Sequence, residues 1–456
     1  ISRSRVPRNW GEDHLLGRMP DARGHNASRL GPGGFILSFN PDGEDIELIA
    51  TGFRNEYDIA LNRQGELFTY DADMEWDVGT PWYRPTRINH VISGAEFGWR
   101  NGTGKWPAYD PDSFGSAVDI GPGSPTGICF GYGTNFPKKY QDALFICDWS
   151  YGNIHAVHLT PDGSSYTGSY ETFATAAPLP VTDITAHPDG ALYFTIGGRR
   201  TQSGLYRIRY VGNSDSAKEV AARDAASPSD PETAEPDSQA AEPDAQAAQL
   251  RELRHRIEAT HLAEPSSDHL ALALANLAHQ DRAIRFAARI ALEHQPVDQW
   301  RDQVVGLSDP QARILGVIAL ARGGQPDDKA AALAALTPLP WDELSDTERI
   351  GLLRAYGLIA IRLGDIEGEQ GEAILKQLTD TFPTGNNEVD RELAQVLVYL
   401  ESDDTVAKIV AEMQRSPSQE NQIHYAMTLR GAEKGWNRKL HQQYFQWFND
   451  IQSARG

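Results

Sequence analysis

Four carboxylates at alternate positions, Asp71, Asp73, Glu75 and Asp77, stand in the stretch "YDADMEWDVGTPWYRPTRINHVISGAEFGWRNGTGKWP". In an extended segment alternate side chains share one side, and crowded carboxylates repel one another unless a cation offsets them. Hard oxygen donors of this kind suit calcium. A solvated acidic loop, or pairing with Arg84, Arg87 or Arg100, accounts for the same residues. Just upstream, "GFRNEYDIA" sets Arg54 and Asn55 at the entry to an apolar run, where the pair either closes a turn or holds a ligand. Further on, "GGRRTQSG" places Arg199 and Arg200 beside glycines, as an anion clamp through bidentate hydrogen bonds or as a solvated turn.

Trp76, Trp82, Trp99 and Trp106, with Tyr83 and Tyr109, make the same region densely aromatic. Flat rings beside carboxylates and amides suit sugars, and large rings also fill cores. His90, His155, His158 and His187 are the titratable candidates near neutrality; two lie in the strand-like run "NIHAVHL" and one in a turn, which favours structural roles. No His-Glu-x-x-His, Cys-x-x-Cys-His, phosphate loop or Gly-x-Ser-x-Gly pattern is present. Cys129 and Cys147 allow one disulfide at most and lack metal-ligand spacing.

These residues need a scaffold, and the text of the chain changes twice along its 456 residues. Residues 1–211 show short β-prone runs between turn signals, as in "HPDGALYFTIGG", and three segments beginning near Tyr57, Thr126 and Thr182 repeat a strand, turn, strand unit. Repeated antiparallel units predict propeller blades of ~40 to 50 residues. Residues 212–249 are dominated by Ala, Asp, Glu, Pro and Ser, the composition of a flexible acidic linker. Residues 250–456 carry amphipathic helical patterns, two of them opened by a capping aspartate, Asp281 or Asp309. Stacked helix pairs in a HEAT-like solenoid fit this part, with a protein partner as its usual ligand. The fold class expected is therefore multidomain, all-β followed by all-α.

Lys and Arg total 42 against 63 Asp and Glu, a formal charge of −21, so nucleic acid and anionic membranes would be met against net repulsion. The longest apolar runs fall well short of the roughly 20 residues that span a bilayer. "ISRSRVPRNW" holds no signal-peptide core.

With these residues in hand, the first part resembles the glucose/sorbosone dehydrogenase family over about Gly34 to Tyr210. "GFRNEYDIALNRQGELFTYDAD" is similar to that family's Gly-x-Arg-Asn-Pro-x-Gly-Leu-Ala strand and following loop, and "RINHVISGAEFGW" to its Glu-Ile-Asn-x-Ile-x-x-Gly-x-Asn-Tyr-Gly-Trp stretch. The whole chain resembles large secreted planctomycete-type proteins that join such a propeller to HEAT-like repeats and often end in a c-type cytochrome module. The resemblance implies a six-bladed propeller, a periplasmic or secreted location, and oxidation of a sugar or polyol by pyrroloquinoline quinone (PQQ) with calcium, electrons passing to a cytochrome. It sets Arg54 and Asn55 at the quinone and Asp71 to Asp73 at the calcium. The departures are Ser150 in place of a cofactor-binding lysine, and Pro180 and Thr182 in place of an Arg-x-Arg pair. The family's histidine base lies on an early blade, and about 210 residues hold about four blades, so an N-terminally incomplete propeller is expected. The competing reading is a non-catalytic module that grips carbohydrate or protein, with the helices as scaffold.

Overall fold

The computed structural model describes residues 3–19, 30–72, 85–198, 201–212 and 242–453. Alternating apolar runs in the first part form four sheets. Sheet 1 joins β1 (Arg3–Ser4), β2 (Gly34–Ser38) and β3 (Glu47–Phe53) in the order β1-β3-β2, with β1 parallel to β3. Sheet 2 is the antiparallel series β4 (Ile59–Leu61), β5 (Leu67–Asp71), β6 (Thr86–Val91) and β7 (Val118–Gly121). Sheet 3 is the series β8 (Pro125–Phe130), β9 (Leu144–Asp148), β10 (Asn153–Asp162) and β11 (Ser165–Thr175), with one turn of helix, α1 (Lys138–Gln141), before β9. Sheet 4 holds β12 (Val181–Ala186), β13 (Leu192–Gly198) and β14 (Thr201–Ile208).

The sheets pack face to face in chain order. Phe68, Ile88, Val118, Ile128 and Ile146 fill the layer between sheets 2 and 3, and Phe145, Ile154, Val181, Ile184 and Leu192 that between sheets 3 and 4. The first strands of these sheets, β4, β8 and β12, touch in succession. Asp58 Oδ2 accepts the Ile128 N–H at 3.0 Å, tying β4 to β8. At Gly127 a Cβ would collide with the Asp183 carboxylate, so β8 meets β12 only because that position has no side chain. Meandering sheets stacked by their first strands are the arrangement of propeller blades. Among the described residues four sheets are present and no ring is closed.

The helical part comprises α2 (Glu242–Glu258), α3 (Ser267–Asn276), α4 (Arg282–Glu293), α5 (Arg301–Val305), α6 (Pro310–Gly323), α7 (Lys329–Leu336), α8 (Asp346–Leu358), α9 (Gly368–Leu378), α10 (Asn387–Tyr399), α11 (Thr405–Arg415), α12 (Gln419–Thr428) and α13 (Arg438–Asp450). The even-numbered helices touch one another in succession, and odd-numbered partners pack beside them. Asp281 and Asp309 cap their helices as expected, accepting the N–H of Ile284 at 3.0 Å and of Ala312 at 2.9 Å. Ser345 and Glu348 form a capping box at α8. No helix among the described residues is long and apolar enough to cross a membrane.

The two parts share one interior. Ala283, Phe286 and Ile290 of α4 are buried against Ile36, Ala50, Phe53, Phe97 and Phe114 of the β part. Beside this apolar seam lies a buried ionic cluster. Asp112, from the loop between β6 and β7, faces Arg354 of α8 at 2.8 Å, Arg289 of α4 at 3.1 Å and Arg322 of α6 at 3.6 Å. Burial pushes the Asp112 carboxyl up, but the three guanidinium groups outweigh that and hold it well below its usual range. Asp13 receives two 2.8 Å hydrogen bonds from Arg362 and an ion pair from Arg322 at 3.3 Å. A second anchor joins Glu66, at the start of β5, to Arg254 of α2 at 2.5 Å and to His90 at 2.8 Å.

Removing one partner of a buried ionic set leaves the others desolvated and uncompensated. Asp112→Ala is expected to lower the unfolding free energy by about 3–5 kcal/mol, read by urea denaturation. Arg415→Ala removes an exposed arginine paired with Glu412 and should cost under about 1 kcal/mol.

Candidate functional site

Asp71 ends β5 fully buried, and every other feature of the Arg54-Asn55 region is arranged around its carboxylate. Its Oδ1 accepts the backbone N–H of Asn55 at 2.7 Å and of Arg54 at 3.2 Å. Its Oδ2 accepts Nη2 and Nε of Arg87 at 3.0 and 3.3 Å. Arg87 stands opposite Asp71 in the β5-β6 register, which makes this ion pair a cross-strand pair. The turn after β3 is therefore closed by backbone amides on Asp71. That use leaves the side chains at positions 54 and 55 free of it.

Gly52 makes the turn geometrically accessible. It has φ +84, and a Cβ there would strike the Glu96 carboxylate and the Phe97 amide, so the chain needs glycine to run this close to residues 95–99. Thr51 and Gly52 hydrogen bond to that segment through Phe97 N to Thr51 O at 3.0 Å and Trp99 N to Gly52 O at 2.9 Å. Arg54 then emerges half-buried, its Nε without a hydrogen-bond partner among the described residues, and Asn55 is exposed. Asn89, two register pairs along from Arg87 and so on the same sheet face, is fully buried with neither amide atom partnered among the described residues. Such a group costs about 1–3 kcal/mol when left unmade.

Glu56 completes the cluster. Its carboxylate lies against Gly34, and burial first, then the charge of Asp71, pushes its pKa up to about 7. A carboxyl poised near neutrality accepts or gives a proton at physiological pH. Arg54 could pair in the sequence with Glu56, Asp58 or the Asp71–Asp77 loop; among the described residues no such ion pair is formed, and Asp71 is bound to Arg87 instead.

Sheet 3 repeats the device. Asp148 ends β9 as Asp71 ends β5, and its oxygens accept the N–H of Ser124 at 2.8 Å, Ser150 at 3.0 Å and Tyr151 at 3.2 Å. The signal is in the text, as "LFTYD" and "LFICD". Ser150 is thus engaged through its amide in closing a turn. Thr182 hydrogen bonds through Oγ1 to Thr195 Oγ1 at 2.8 Å, and the Pro180 carbonyl accepts the Gly197 N–H at 3.0 Å.

Both oxygens of Asp71 are committed, so a cation bound there would have to displace Arg87 or the two amides. Asp73, Glu75, Asp77, Arg199 and Arg200 lie outside the described residues, as do Trp76, Trp82 and Tyr83. Among the described residues no group of three metal-ligating side chains comes together. Trp99 and Trp106 are buried, and Arg100, paired with Glu96 at 2.9 Å, lies 4.0 Å from the Trp106 ring centre. They serve packing. The histidines are likewise engaged: His90 with Glu66 and Ser165, His155 with Thr172, His158 with Glu171 and His187 with Asp189. Cys129 and Cys147 are free thiols, and burial pushes Cys129 up to about 12.

No protein family matches the chain by its sequence profile, and no curated protein sequence matches it. Solved structures do. A glucose dehydrogenase-type oxidoreductase from Thermus thermophilus is 19% identical over 38% of this chain and 55% of that one, at a TM-score of 0.32. The PQQ-bound aldose sugar dehydrogenase of Streptomyces coelicolor is 15% identical over 38% and 51%, at 0.29. The apo soluble aldose sugar dehydrogenase of Escherichia coli is 17% identical over 35% and 46%, at 0.29. The chain spans about half the length of these structures.

Because Glu56 keeps its proton in the folded protein up to about pH 7 while an ordinary glutamate loses it near 4.5, its contribution to stability falls as pH rises from about 4.5 to 7. Glu56→Gln is expected to raise the melting temperature relative to the parent at pH 8 and to leave it unchanged below about pH 4.5, measured by thermal unfolding across pH.

Proposed function

We propose that the β part is a sugar- or alcohol-dehydrogenase-like propeller whose turn at Arg54 and Asn55 holds an acidic quinone cofactor of the PQQ class. The observation that carries this reading is the buried Nε of Arg54, without a hydrogen-bond partner among the described residues, beside the exposed Asn55, with the backbones of both held through their amides by Asp71. These two residues fit a planar polyanion: a guanidinium meets a carboxylate through two parallel hydrogen bonds, and an amide offers both a donor and an acceptor. A bound quinone of this class supplies the redox chemistry, taking two electrons from a carbon bearing a hydroxyl. Arg54 would orient the anion, Asn55 would hydrogen bond its edge, and the Glu56 carboxylate would take the hydroxyl proton of the substrate.

Calcium in this reading rests on Asp73, Glu75 and Asp77, since the Asp71 carboxylate is occupied by Arg87. Arg199 and Arg200 are further anion contacts. A periplasmic or secreted location, a c-type cytochrome acceptor and a protein partner for the helices belong to the same proposal. One observation favours the second reading, a carbohydrate- or protein-binding propeller without turnover: Ser150, Pro180 and Thr182, which stand where the resembled family has a lysine and two arginines, are engaged in turn and strand closure.

The test is titration of the chain with PQQ, with and without calcium, followed by dye reduction with aldoses and polyols. Binding is expected to weaken at least tenfold in Arg54→Ala, and Glu56→Gln should bind PQQ normally while losing any turnover. No PQQ binding, or binding that Arg54→Ala leaves intact, would sink the reading; binding without dye reduction would point to the non-catalytic propeller.

A further inference from the structure

Between the β part and the helices lies a cavity of about 470 Å³ that none of the preceding chemistry uses. Its size falls in the range of small-molecule sites, about 300–1,000 Å³. Leu353 of α8, Val396 of α10 and Ile423 and Met427 of α12 give it an apolar wall. The polar wall comes from residues 13–18 and from the loop at 102–110, and the two are tied together: Arg18 donates to the Asn101 carbonyl at 2.9 Å, and a Cβ on Gly104 would stand 2.7 Å from His14 Nε2.

The carboxylates on this wall are already matched. Asp13 is bound by Arg362 at 2.8 Å, and Asp110 accepts the Asp112 N–H at 2.7 Å and pairs with Arg354 at 4.0 Å. Glu392 accepts the Tyr109 hydroxyl at 3.0 Å and the Gln395 amide at 2.9 Å, and Glu420 pairs with Arg391 at 3.7 Å. What the wall lacks is acceptors. Trp106 Nε1 and Arg354 Nη2 are buried without a hydrogen-bond partner among the described residues, and so is Nε2 of His14. Indole and guanidinium nitrogens only donate, and a buried donor left without an acceptor is costly. The Arg354 guanidinium lies 4.8 Å from the Trp106 ring centre, which sets these two donors close together, and Arg100 stands 4.0 Å from the same ring. Burial first, then Arg100 and Arg354, push His14 down to about 4. A histidine held neutral by neighbouring guanidinium groups marks a positive potential, and it can present an N–H at Nε2.

We propose that this cavity binds an organic anion, a small molecule whose carboxylate accepts from Trp106 Nε1, Arg354 Nη2 and His14 Nε2 while its hydrocarbon body lies against Leu353, Val396, Ile423 and Met427. An ionised carboxyl group accepts only, through two oxygens with about four lone-pair sites, the complement of three donors short of an acceptor. Hydrogen bonds to an ionised acceptor are the stronger kind. An alkylamine would set donors against donors.

Calorimetry of the whole chain with hexanoate, at about physiological salt to screen the acidic surface, tests this. Hexanoate is expected to bind at least about tenfold more tightly than acetate, because its methylenes reach the apolar wall, with hexylamine and glucose silent. Trp106→Phe, which keeps a ring beside Arg100 and Arg354 and deletes the N–H, should weaken hexanoate at least about fivefold. Should that variant fail to fold, His14→Phe carries the same criterion. Absence of hexanoate binding, binding that is indifferent to the substitution, or equal binding of acetate, hexylamine or glucose would overturn the proposal. Arg54→Ala should leave hexanoate binding unchanged whatever it does to PQQ, and a loss there would equally overturn it, so the two sites stand or fall separately.

Discussion

The buried carboxylate of Asp112 is the constraint on which the architecture hangs. Three arginines from three successive inner helices, Arg289, Arg322 and Arg354, converge on it. A lone buried charge costs several kcal/mol, and only a partner set with good geometry offsets it. The loop can bury Asp112 only where α4, α6 and α8 already stand side by side, and their arginines can be buried only where that loop is inserted. Asp13 with Arg322 and Arg362, and Glu66 with Arg254, repeat the logic at two further points.

Aspartate does the equivalent work inside the β part, on backbone amides rather than arginines. Asp71 and Asp148 close turns in sheets 2 and 3, and Asp58 ties one inner strand to the next. A carboxylate that accepts two or three N–H groups is a strong, short-range fastener. It fixes the path of the chain without using the neighbouring side chains, which is how Arg54 and Asn55 remain available.

Much of this is legible in the residues. Asp281 and Asp309 read as helix caps because capping is local, set within three residues. The strand, turn, strand units follow from alternation and turn signals, and they appear as sheets 2 to 4. What is not legible depends on partners far away in the chain. Asp112 and Arg354 are separated by 242 positions, and an arginine on a helix looks the same in text whether it faces water or a buried aspartate. Arg54 and Asp71 both stand out in the sequence, but their connection runs through the amide of Arg54 and not its guanidinium, a distinction composition does not carry. Glu56 gains its raised pKa from burial against Gly34, a contact no local pattern announces.

The shared interior bears on how such a chain tolerates rearrangement. Recombination that exchanged the helices for another set of similar length would preserve every apolar stripe, yet strand Asp13, Asp112 and Glu66 in a dry seam without countercharge. The β part and the helices as far as Arg362 are therefore joined as one unit by buried charge. Arg415 and Lys434, exposed cations paired with Glu412 and Glu401, stand outside that joint, so a change of charge there leaves it undisturbed.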